Sequence, residues 1–409
     1  MSQHIINVLL YLALAMALGL IITRVLRLLK LPNVTAYLVA GLIISPFSFG
    51  IMPEDALKGL TNFSTIALGF IAFSIGFSFR ADHLKALGGK IYTITVVQSL
   101  FTAFLVDAAM FVAYLFGAIE LPLVFVFGAI ATATAPAATL LVVKQYNAKG
   151  PVTDTLLPVV AIDDAIGLIV FQLSFSIAKS ISAGEAMNFV TVVLLPLKDI
   201  ALSLAIGSAL GFIVAFSEKL FLSRANRLTI IILCVFTGIA LSELLHLSNL
   251  LLCMAIGAVY CNIDRHTEKV MDVYDRWTHP LYVLFFVISG AGLDLRVLLS
   301  VGLVGVIYIV VRSAGKYTGA MLGAALGKAE PNVKKYLGFM LLPQAGVAIG
   351  MAQVVSTDPA MTAYAPAVTA VVLSATLIYE LVGPLITKWA LKKSGEIEEP
   401  VIKKEAKTT

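Results

Sequence analysis

The sequence predicts an all-α polytopic membrane protein of about 13 transmembrane helices, arranged as an inverted repeat with two broken, crossing helices. Three observations lead to this fold class: the chain is very apolar, its apolar segments have bilayer-spanning lengths, and helix breakers recur at mid-depth in two of them. Of its 409 residues, 59% are hydrophobic and only 13% are charged. An average soluble domain carries about a quarter charged residues, so a soluble enzyme, a nucleic-acid-binding protein and a disordered scaffold all fit poorly.

The candidate spans follow from hydropathy, because a transmembrane helix needs about 20 mostly apolar residues. The second, ninth and tenth of them are short, and the seventh contains Lys198–Asp199 close to a start that hydropathy does not define. The segments cover residues 5–26, 34–47, 57–79, 91–116, 121–143, 156–177, 190–216, 228–245, 249–263, 281–293, 298–326, 336–355 and 363–391.

Basic residues alternate between the two sides of these segments. With the N-terminus outside, 23 of the 29 Lys and Arg residues fall in cytoplasmic loops or the C-terminal tail, and four fall on the opposite side. The remaining two, Arg312 and Lys316, lie inside a span. Because Lys and Arg favour the cytoplasmic side, we expect a multi-pass protein of the cytoplasmic (inner) membrane with its N-terminus outside and its C-terminus inside. Residues 392–409 are polar and predict a short disordered cytoplasmic tail.

A few charged residues lie inside the apolar segments, where each costs about 2.5–3.5 kcal/mol on insertion scales. Asp163 and Asp164 are adjacent, so their side chains point about 100° apart and only one of them can face a given partner. Arg312 and Lys316 are four residues apart and share a helix face. Asp107 is a further isolated acid. The alternative is that these groups only hold helices together, above all for Arg312 and Asp107.

Other polar groups carry weaker signals. Glu380 serves either packing or the transport pathway, and Glu243 and His246 lie near a helix end, where contact with interfacial water is the simpler interpretation. The three cysteines, Cys234, Cys253 and Cys261, lie in or beside apolar segments and are expected to be buried thiols.

Two segments contain helix breakers at mid-depth, around Pro136 and around Pro343. A proline inside a helix removes a backbone hydrogen bond, and the freed carbonyls are tolerated in a membrane only beside protein or a wet cavity. Either proline alone could be a simple kink. Together they occupy the fifth and twelfth segments, and the same offset of seven pairs segments two to six with segments nine to thirteen. Broken helices at corresponding positions of two halves indicate a midplane ion site in a secondary transporter.

Several of these stretches resemble the monovalent cation:proton antiporters, in particular their bacterial NapA-like and Kef-like branch. The matching stretches are Leu31–Gly41, Thr132–Thr134, Asp163–Asp164, Gly315–Lys316 and Pro343–Gly346, spread over nearly the whole chain. Kef-type members carry a long cytoplasmic nucleotide-binding domain and often a different residue before the aspartate. Neither feature is present in this sequence, which favours a plain antiporter.

The resemblance implies a homodimer that works by elevator-like alternating access. It further implies one transmembrane antiporter domain over residues 1–391, divided into two groups of spans with a connecting segment. The predicted core comprises the spans around 57–177 and 298–391, the dimer scaffold comprises those around 5–47 and 228–293, and residues 187–216 link the two.

The resemblance also implies roles for individual residues. Asp164 is the main ion-binding carboxylate and holds the monovalent cation, while Asp163 pairs with Lys316. Apart from the resemblance, the intramembrane polar residues Arg312, Asp107, Gln344 and Glu380 are expected to support the site. No cofactor and no nucleic acid are expected, since the ligands are the transported ions.

The chemistry of the residues agrees with this assignment. A hard monovalent cation prefers oxygen ligands, which Asp164, the hydroxyls of Thr132 and Thr134, and freed carbonyls around Ala133 and Ala135 can supply. A carboxylate that binds either a cation or a proton makes the two compete for one site. Lys316 would neutralise Asp163 when the site is empty.

The expected function is electrogenic exchange of a monovalent cation for protons in pH homeostasis, with Na⁺ as first candidate and Li⁺ as a further one. A K⁺/H⁺ exchanger remains open, because selectivity depends on small differences in ligand position. A sodium-coupled organic-solute symporter of the same architecture is another alternative, which would need a roomy polar cavity. An ion channel would want repeated filter motifs, and the sequence contains none. An enzyme is not expected.

Overall fold

The computed structural model describes residues 3–26, 28, 33–77, 79–82, 88–135, 139, 142–143, 146–184, 190, 194–217, 220–221, 223–263, 267–294 and 302–397. Within these ranges all regular secondary structure is helical, which confirms the predicted fold class. Four parts of the predictions lie outside the described residues. They are Pro136, the Leu31–Pro32 start of one matching stretch, residues 187–189 and 191–193 of the 187–216 linker, and tail residues 398–409.

The helices that carry the fold are defined in chain order. They are α1 Gln3–Leu26, α2 Asn33–Ile44, α3 Glu54–Phe77, α4 Gly88–Leu115, α5 Leu121–Ala131, α6 Pro151–Ser182, α7 Leu195–Ser217, α8 Arg224–Leu245, α9 Asn249–Ile263, α10 Thr267–Ala291, α11 Gly302–Leu326, α12 Pro331–Met340, α13 Gly346–Thr357 and α14 Ala365–Ser394, with a 3₁₀ turn at Pro359–Met361.

Length and apolar composition allow seven of the described helices to cross a membrane, and four shorter apolar helices accompany them. The expected thirteen crossings therefore stay a prediction. The tenth segment, expected near 281–293, was placed too late, because α10 begins at Thr267. Its first turns are charged and amphipathic, with an exposed ion pair of 2.9 Å between Arg276 and Asp272, so hydropathy detects only the second half.

Two helix crossings are held together by reciprocal glycines. Between α2 and α10, a Cβ at Gly41 would stand 2.0 Å from the Val287 carbonyl oxygen, and one at Gly290 would stand 2.3 Å from that of Leu38. Between α3 and α9, Gly76 and Gly257 lie equally close to backbone carbonyls. The predicted repeat, with its offset of seven segments, pairs α2 with α9 and α3 with α10. The α2–α10 crossing therefore corresponds to the α9–α3 crossing, and both use the same glycine contact. Small residues let membrane helices approach until their backbones touch.

A glycine ladder brings α4 and α11 together. Gly315, Gly319 and Gly323 follow one another at intervals of four on α11, and they lie against Thr102, Gln98 and Ile94, also four apart, on α4. A Cβ at any of the three glycines would stand within 3.1 Å of the Cα atom facing it, so larger residues would separate the helices. Lys316 follows the first of these glycines and is thereby carried into contact with α4.

The predicted division into a core and a scaffold stays a prediction, and one helix departs from it. The prediction assigns residues 57–79 to the core, but α3 packs mainly against α9 and α10 of the predicted scaffold. The reason is the close approach of Gly76 and Gly257, which fixes α3 to α9 and leaves it few contacts with the other group.

The start of the predicted tail is wrong, because residues 392–397 are ordered. Helix α14 continues to Ser394 and ends at Gly395 in the left-handed conformation (φ 79°), where the chain turns back. The carboxylate of Glu396 then accepts hydrogen bonds from the backbone N–H groups of Val152 (2.6 Å) and Thr153 (2.8 Å) and from the Thr153 hydroxyl (2.7 Å). Helix α6 has no side-chain cap from its own N-cap residue, so Glu396 supplies that cap from the far end of the chain.

We expect Glu396→Ala to lower the free energy of unfolding by about 1–3 kcal/mol, because it removes a buried carboxylate and leaves helix N–H groups without a partner. Thermal unfolding of the purified protein in detergent measures this. Glu330→Ala is the matched control: Glu330 is a glutamate at the start of another helix, α12, but it is exposed and makes no cap hydrogen bond. Equal losses in the two variants would contradict the capping role.

Candidate ion-binding site

The two broken segments meet directly. After α5 ends at Ala131, the backbone N–H of Ala135 donates to the carbonyl of Pro343, 2.8 Å away, in the gap between α12 and α13. The hydroxyl of Thr139 donates to the Met340 carbonyl at 3.0 Å. The structure therefore places both predicted breaks at one crossing.

Arg312 binds the carbonyls that the two breaks free. Its Nε donates to Ala131 (3.0 Å), one Nη to Leu342 (2.7 Å) and the other to Ala133 (2.6 Å), and the side chain is fully buried. The guanidinium carbon lies 4.6 Å from the centre of the Tyr379 ring. A fixed positive charge at the C-terminal ends of α5 and α12 matches the partial negative charge of helix C-termini. The Ala133 carbonyl, expected to be available to a cation, is thus already an acceptor for Arg312.

Gln344 also joins the two breaks. Its Nε2 donates to the Ile130 carbonyl at 2.9 Å and lies 2.9 Å from the hydroxyl of Tyr308, which is buried on α11. Like Arg312, this side chain donates to a backbone carbonyl in the last turn of a helix, where carbonyls lack a partner within the helix.

The structure brings Asp163 and Lys316 together. Lys316 Nζ lies 3.0 Å from Asp163 Oδ2, and both side chains are fully buried. Asp163 Oδ2 also accepts from the Thr134 hydroxyl at 2.6 Å, and its Oδ1 accepts from Gln98 Nε2 and Ser99 Oγ. Both oxygens of Asp163 are therefore saturated, which is what a buried ion pair needs to offset its desolvation.

Lys316 is saturated in the same way. Besides Asp163, its ammonium group donates to Gln98 Oε1 at 3.0 Å and to the backbone carbonyl of Thr132. An ammonium group has three N–H donors, and all three find acceptors. Lys316 of α11 therefore contacts α4 through Gln98, α6 through Asp163 and the first break through Thr132.

Asp164 differs from its neighbour. It is 6% exposed, and its Oδ1 has no hydrogen-bond partner among the described residues. One turn further along α6, Gly167 lies close enough to Thr132 that a Cβ would stand 2.8 Å from the hydroxyl oxygen. Asp164 is thus the carboxylate of the pair that keeps an oxygen without a partner among the described residues.

The two threonines serve the site in different ways. The Thr134 hydroxyl is used by Asp163, and the Thr132 hydroxyl donates to the Ala129 carbonyl at 2.7 Å. The hydroxyl oxygen of Thr132 lies against α6 at Gly167. Thr134 acts through Asp163 in this arrangement.

Two predicted site residues are not part of this cluster. Asp107 packs onto α5 at Gly128, where a Cβ would stand 1.7 Å from its Oδ1, and no described contact links it to Arg312 or Lys316. Glu380 is 1% exposed on α14, and neither of its carboxylate oxygens has a partner in the part of the chain that the structure describes.

Gln98 and Ser99 were missed by the sequence reasoning. A signal for them exists, because Thr95, Gln98, Ser99 and Thr102 form a polar stripe at intervals of three and four along an otherwise apolar helix, and all four are fully buried. Such spacing places polar groups on one face and indicates a buried polar partner on a neighbouring helix.

A polar cavity of about 240 Å³ begins two turns beyond Asp164 on the same helix. Its walls come from α6 between Phe171 and Lys179, from the turn between α8 and α9, and from residues 353–359. Lys179 and Asp358, which form an ion pair of 2.8 Å, line it together with Asp199, Glu243 and His246.

Fold and site together define a class: a polytopic helical membrane protein in which Asp163, Lys316 and Arg312 are buried where two broken helices cross. A family model described as the transmembrane part of sodium/hydrogen exchangers matches residues 13–393, and the chain belongs to that family. This confirms the resemblance seen in the sequence. Proteins of the family are transporters and not enzymes, and they carry ions without a cofactor.

Individual relatives are similar in sequence and in structure. Na(+)/H(+) antiporter 1 of Methanocaldococcus jannaschii is 29% identical over 164 residues, which is 39% of this chain and 37% of the relative. The structure of the sodium proton antiporter MjNhaP1 from the same organism at pH 8 superposes with a TM-score of 0.78 at 19% identity, over 97% of this chain and 99% of that one. A second MjNhaP1 structure, from electron microscopy, gives 0.72 at 20% identity, over 98% and 100% of the two chains. At this identity the structural likeness establishes the antiporter fold.

Proposed function

We propose that this protein exchanges a monovalent cation, Na⁺ in the first place, for protons at Asp164. The observation that carries the proposal is the contrast between two adjacent carboxylates, of which Asp163 is saturated and Asp164 is not. Na⁺ is chosen because the family and the relatives are named for sodium.

A single carboxylate that binds either ion produces exchange without further machinery. When Asp164 is occupied by a cation, it has no room for a proton, so each ion displaces the other. If only a loaded site changes the side of the membrane to which it opens, inward movement of one ion drives outward movement of the other. Thr132 stands beside this position and can add an oxygen ligand.

Lys316 makes the exchange electrogenic in this proposal. A cation at Asp164 weakens the nearby Asp163–Lys316 pair, so that Lys316 gives up a proton in addition to the one that leaves Asp164. Two protons then move against one cation, and net charge crosses the membrane. Arg312 cannot play this part, since a guanidinium group stays protonated in proteins and its hydrogen bonds here all go to carbonyls.

The wider setting is also part of the proposal. We infer an inner-membrane homodimer with an outside N-terminus and elevator-like movement of the helices that hold the crossing. In this orientation the cavity between α6 and the turn of α8 and α9 opens to the outside. It would admit water and cations toward Asp164, and Glu243 and Asp199 at its walls would raise the local concentration of cations.

Purified protein in proteoliposomes with an enclosed pH-sensitive dye tests the exchange. After an acid interior is established, addition of NaCl outside is expected to restore the dye signal, with LiCl as a second positive ion and choline chloride as the control. A response to KCl equal to or larger than that to NaCl would make the protein a K⁺/H⁺ exchanger. Absence of a response to every cation would contradict antiport.

Competition between cation and proton predicts a pH dependence of a definite sign. Apparent cation affinity should weaken as pH falls through the range in which protons occupy Asp164, by up to about tenfold per pH unit for one competing proton. Sodium titrations of the dye response at several pH values measure this. An affinity that stays constant over the acid part of the range would indicate separate sites for the two ions.

A further inference from the structure

The last helix, α14, carries a row of buried polar side chains that the site described above does not use. Thr376, Glu380 and Thr387 lie four and seven residues apart and therefore on one face. They are 0%, 1% and 0% exposed, and none of their four side-chain oxygens has a hydrogen-bond partner among the residues that the structure describes. These three residues, called the α14 seam, extend over about 16 Å of helix.

The two threonines of the α14 seam behave differently from other threonines of this fold. Thr102, Thr155 and Thr318 each donate to the carbonyl four residues earlier in their own helix, at 2.6–2.7 Å. This is the usual way for a hydroxyl to be satisfied inside a helix. The hydroxyls of Thr376 and Thr387 do not make this bond and are left for a partner outside their own helix.

The seam passes the crossing of the broken helices. Between Glu380 and Thr387, a Cβ at Gly383 would stand 2.7 Å from a ring carbon of Pro343, whose carbonyl accepts the N–H of Ala135. The residue before Glu380 is Tyr379, whose ring faces Arg312 and points about 100° around the helix from Glu380. Glu380 thus lies at the level of the ion site, although no ion pair joins it to Lys316 or Arg312.

The chemistry of the seam favours a proton over a metal cation. A carboxylate buried without a partner is very costly, so its negative charge must be neutralised by a proton or a bound cation. Hard cations require many oxygen ligands, but one turn of the seam offers only the two oxygens of Glu380 and the hydroxyl of Thr376. A carboxylic acid needs just one proton and one or two hydrogen-bond partners, which water beside the threonine hydroxyls can provide.

We propose that the α14 seam is a second proton-binding site, in which Glu380 is the protonated group, Thr387 lies on the water path to it from the C-terminal end of α14, and Thr376 lines the far end of that path. The Glu380 carboxylate takes a proton from hydronium and leaves water, and the reverse step returns the proton. This site is separate from Asp163, Asp164 and Lys316. Its influence on exchange rests on the proposed function, but its water access and titration do not.

Water access is tested by cysteine substitution. The background replaces Cys234, Cys253 and Cys261, and then Thr387→Cys and Thr376→Cys are compared with Ala375→Cys, whose position is equally buried but faces away from the seam. With a small, charged methanethiosulfonate reagent, the two seam positions should react about tenfold or more faster than the control, because a thiol must be hydrated and ionised to react. Equal, slow reaction at all three positions would overturn the proposal.

Titration of Glu380 is tested by infrared spectroscopy over a pH series in the absence of Na⁺. We expect a protonated-carboxyl C=O band that Glu380→Gln removes and Asp164→Asn leaves in place. Thermal unfolding of each variant shows whether it is folded, and Glu380→Asp, which keeps the acid, should retain a shifted band. A protonated-carboxyl band that depends on Na⁺ instead of on pH would contradict proton binding by Glu380. A band that persists unchanged in Glu380→Gln would contradict it as well.

Exchange measurements in proteoliposomes distinguish a failure of the seam proposal from a failure of the proposed antiport. Wild-type exchange in proteoliposomes reports on the antiport itself. If it is present, Glu380→Gln should shift the pH dependence of the rate while apparent sodium affinity at alkaline pH stays within about twofold, since the cation ligands are unchanged. An unchanged pH profile would remove the seam from the transport cycle even if the antiport is established.

Discussion

Asp164→Asn is expected to abolish cation–proton exchange. Removing the charge of a buried ionic partner costs about 2–5 kcal/mol, which corresponds to about thirtyfold to a few thousandfold in cation affinity. The amide also cannot take up and release a proton, so both halves of the exchange are lost together. Dye-based exchange in proteoliposomes and cation binding by calorimetry in detergent measure the two effects separately.

The stability of this variant provides the internal check. Since Asp164 Oδ1 has no partner among the described residues, replacing the carboxylate by an amide of the same shape should leave thermal stability unchanged or raise it. Asp163→Asn is the matched comparison at the adjacent position, where the lost charge leaves Lys316 without its counter-ion and lowers stability. Exchange at the wild-type rate in a folded Asp164→Asn protein would remove Asp164 from the ion site.

Lys316→Gln is expected to have the second largest effect, on stability and on voltage dependence. Breaking a buried pair costs about 3–5 kcal/mol, because Asp163 would lose its counter-ion and keep only neutral donors around it. Any exchange that survives should be insensitive to membrane potential, since the second proton is gone. A potassium-diffusion potential imposed with valinomycin across the proteoliposome membrane measures this.

Lys316→Arg distinguishes a titrating lysine from a purely structural one. It keeps the positive charge beside Asp163 but cannot release a proton, so it should be more stable than Lys316→Gln and equally insensitive to potential. If Lys316→Arg exchanged ions with the voltage response of the wild type, Lys316 would be a structural partner only. Indifference of the wild-type protein itself to the potential would exclude the two-proton scheme.

The sequence was sufficient for the features that depend on local patterns. Apolar segments predicted the helices, Pro343 predicted the second break, and the offset of seven segments predicted which helices correspond. The adjacent Asp163 and Asp164 required that one acid be paired and the other left open, because neighbouring side chains on a helix diverge. That argument used only the geometry of a single helix.

Features that depend on how two helices far apart in the chain pack together could not be predicted from the sequence. Gln98 contacts Lys316 only because the glycine ladder of α11 brings the two backbones close at a particular register. The role of Arg312 likewise depends on the carbonyls of two breaks that lie far apart in the chain. Glu396 shows the same limit, since a residue predicted to lie in a disordered tail caps the helix that carries Asp163 and Asp164.

In the proposed exchange, the single carboxylate of Asp164 binds the cation and the proton alternately. Proton release from purified protein in weakly buffered detergent solution, followed with a pH indicator as NaCl is added, tests this alternation, with choline chloride as the control for ionic strength. Saturable proton release is expected from the wild-type protein and none from Asp164→Asn. Sodium binding without proton release by the wild type, or equal release from Asp164→Asn, would contradict it.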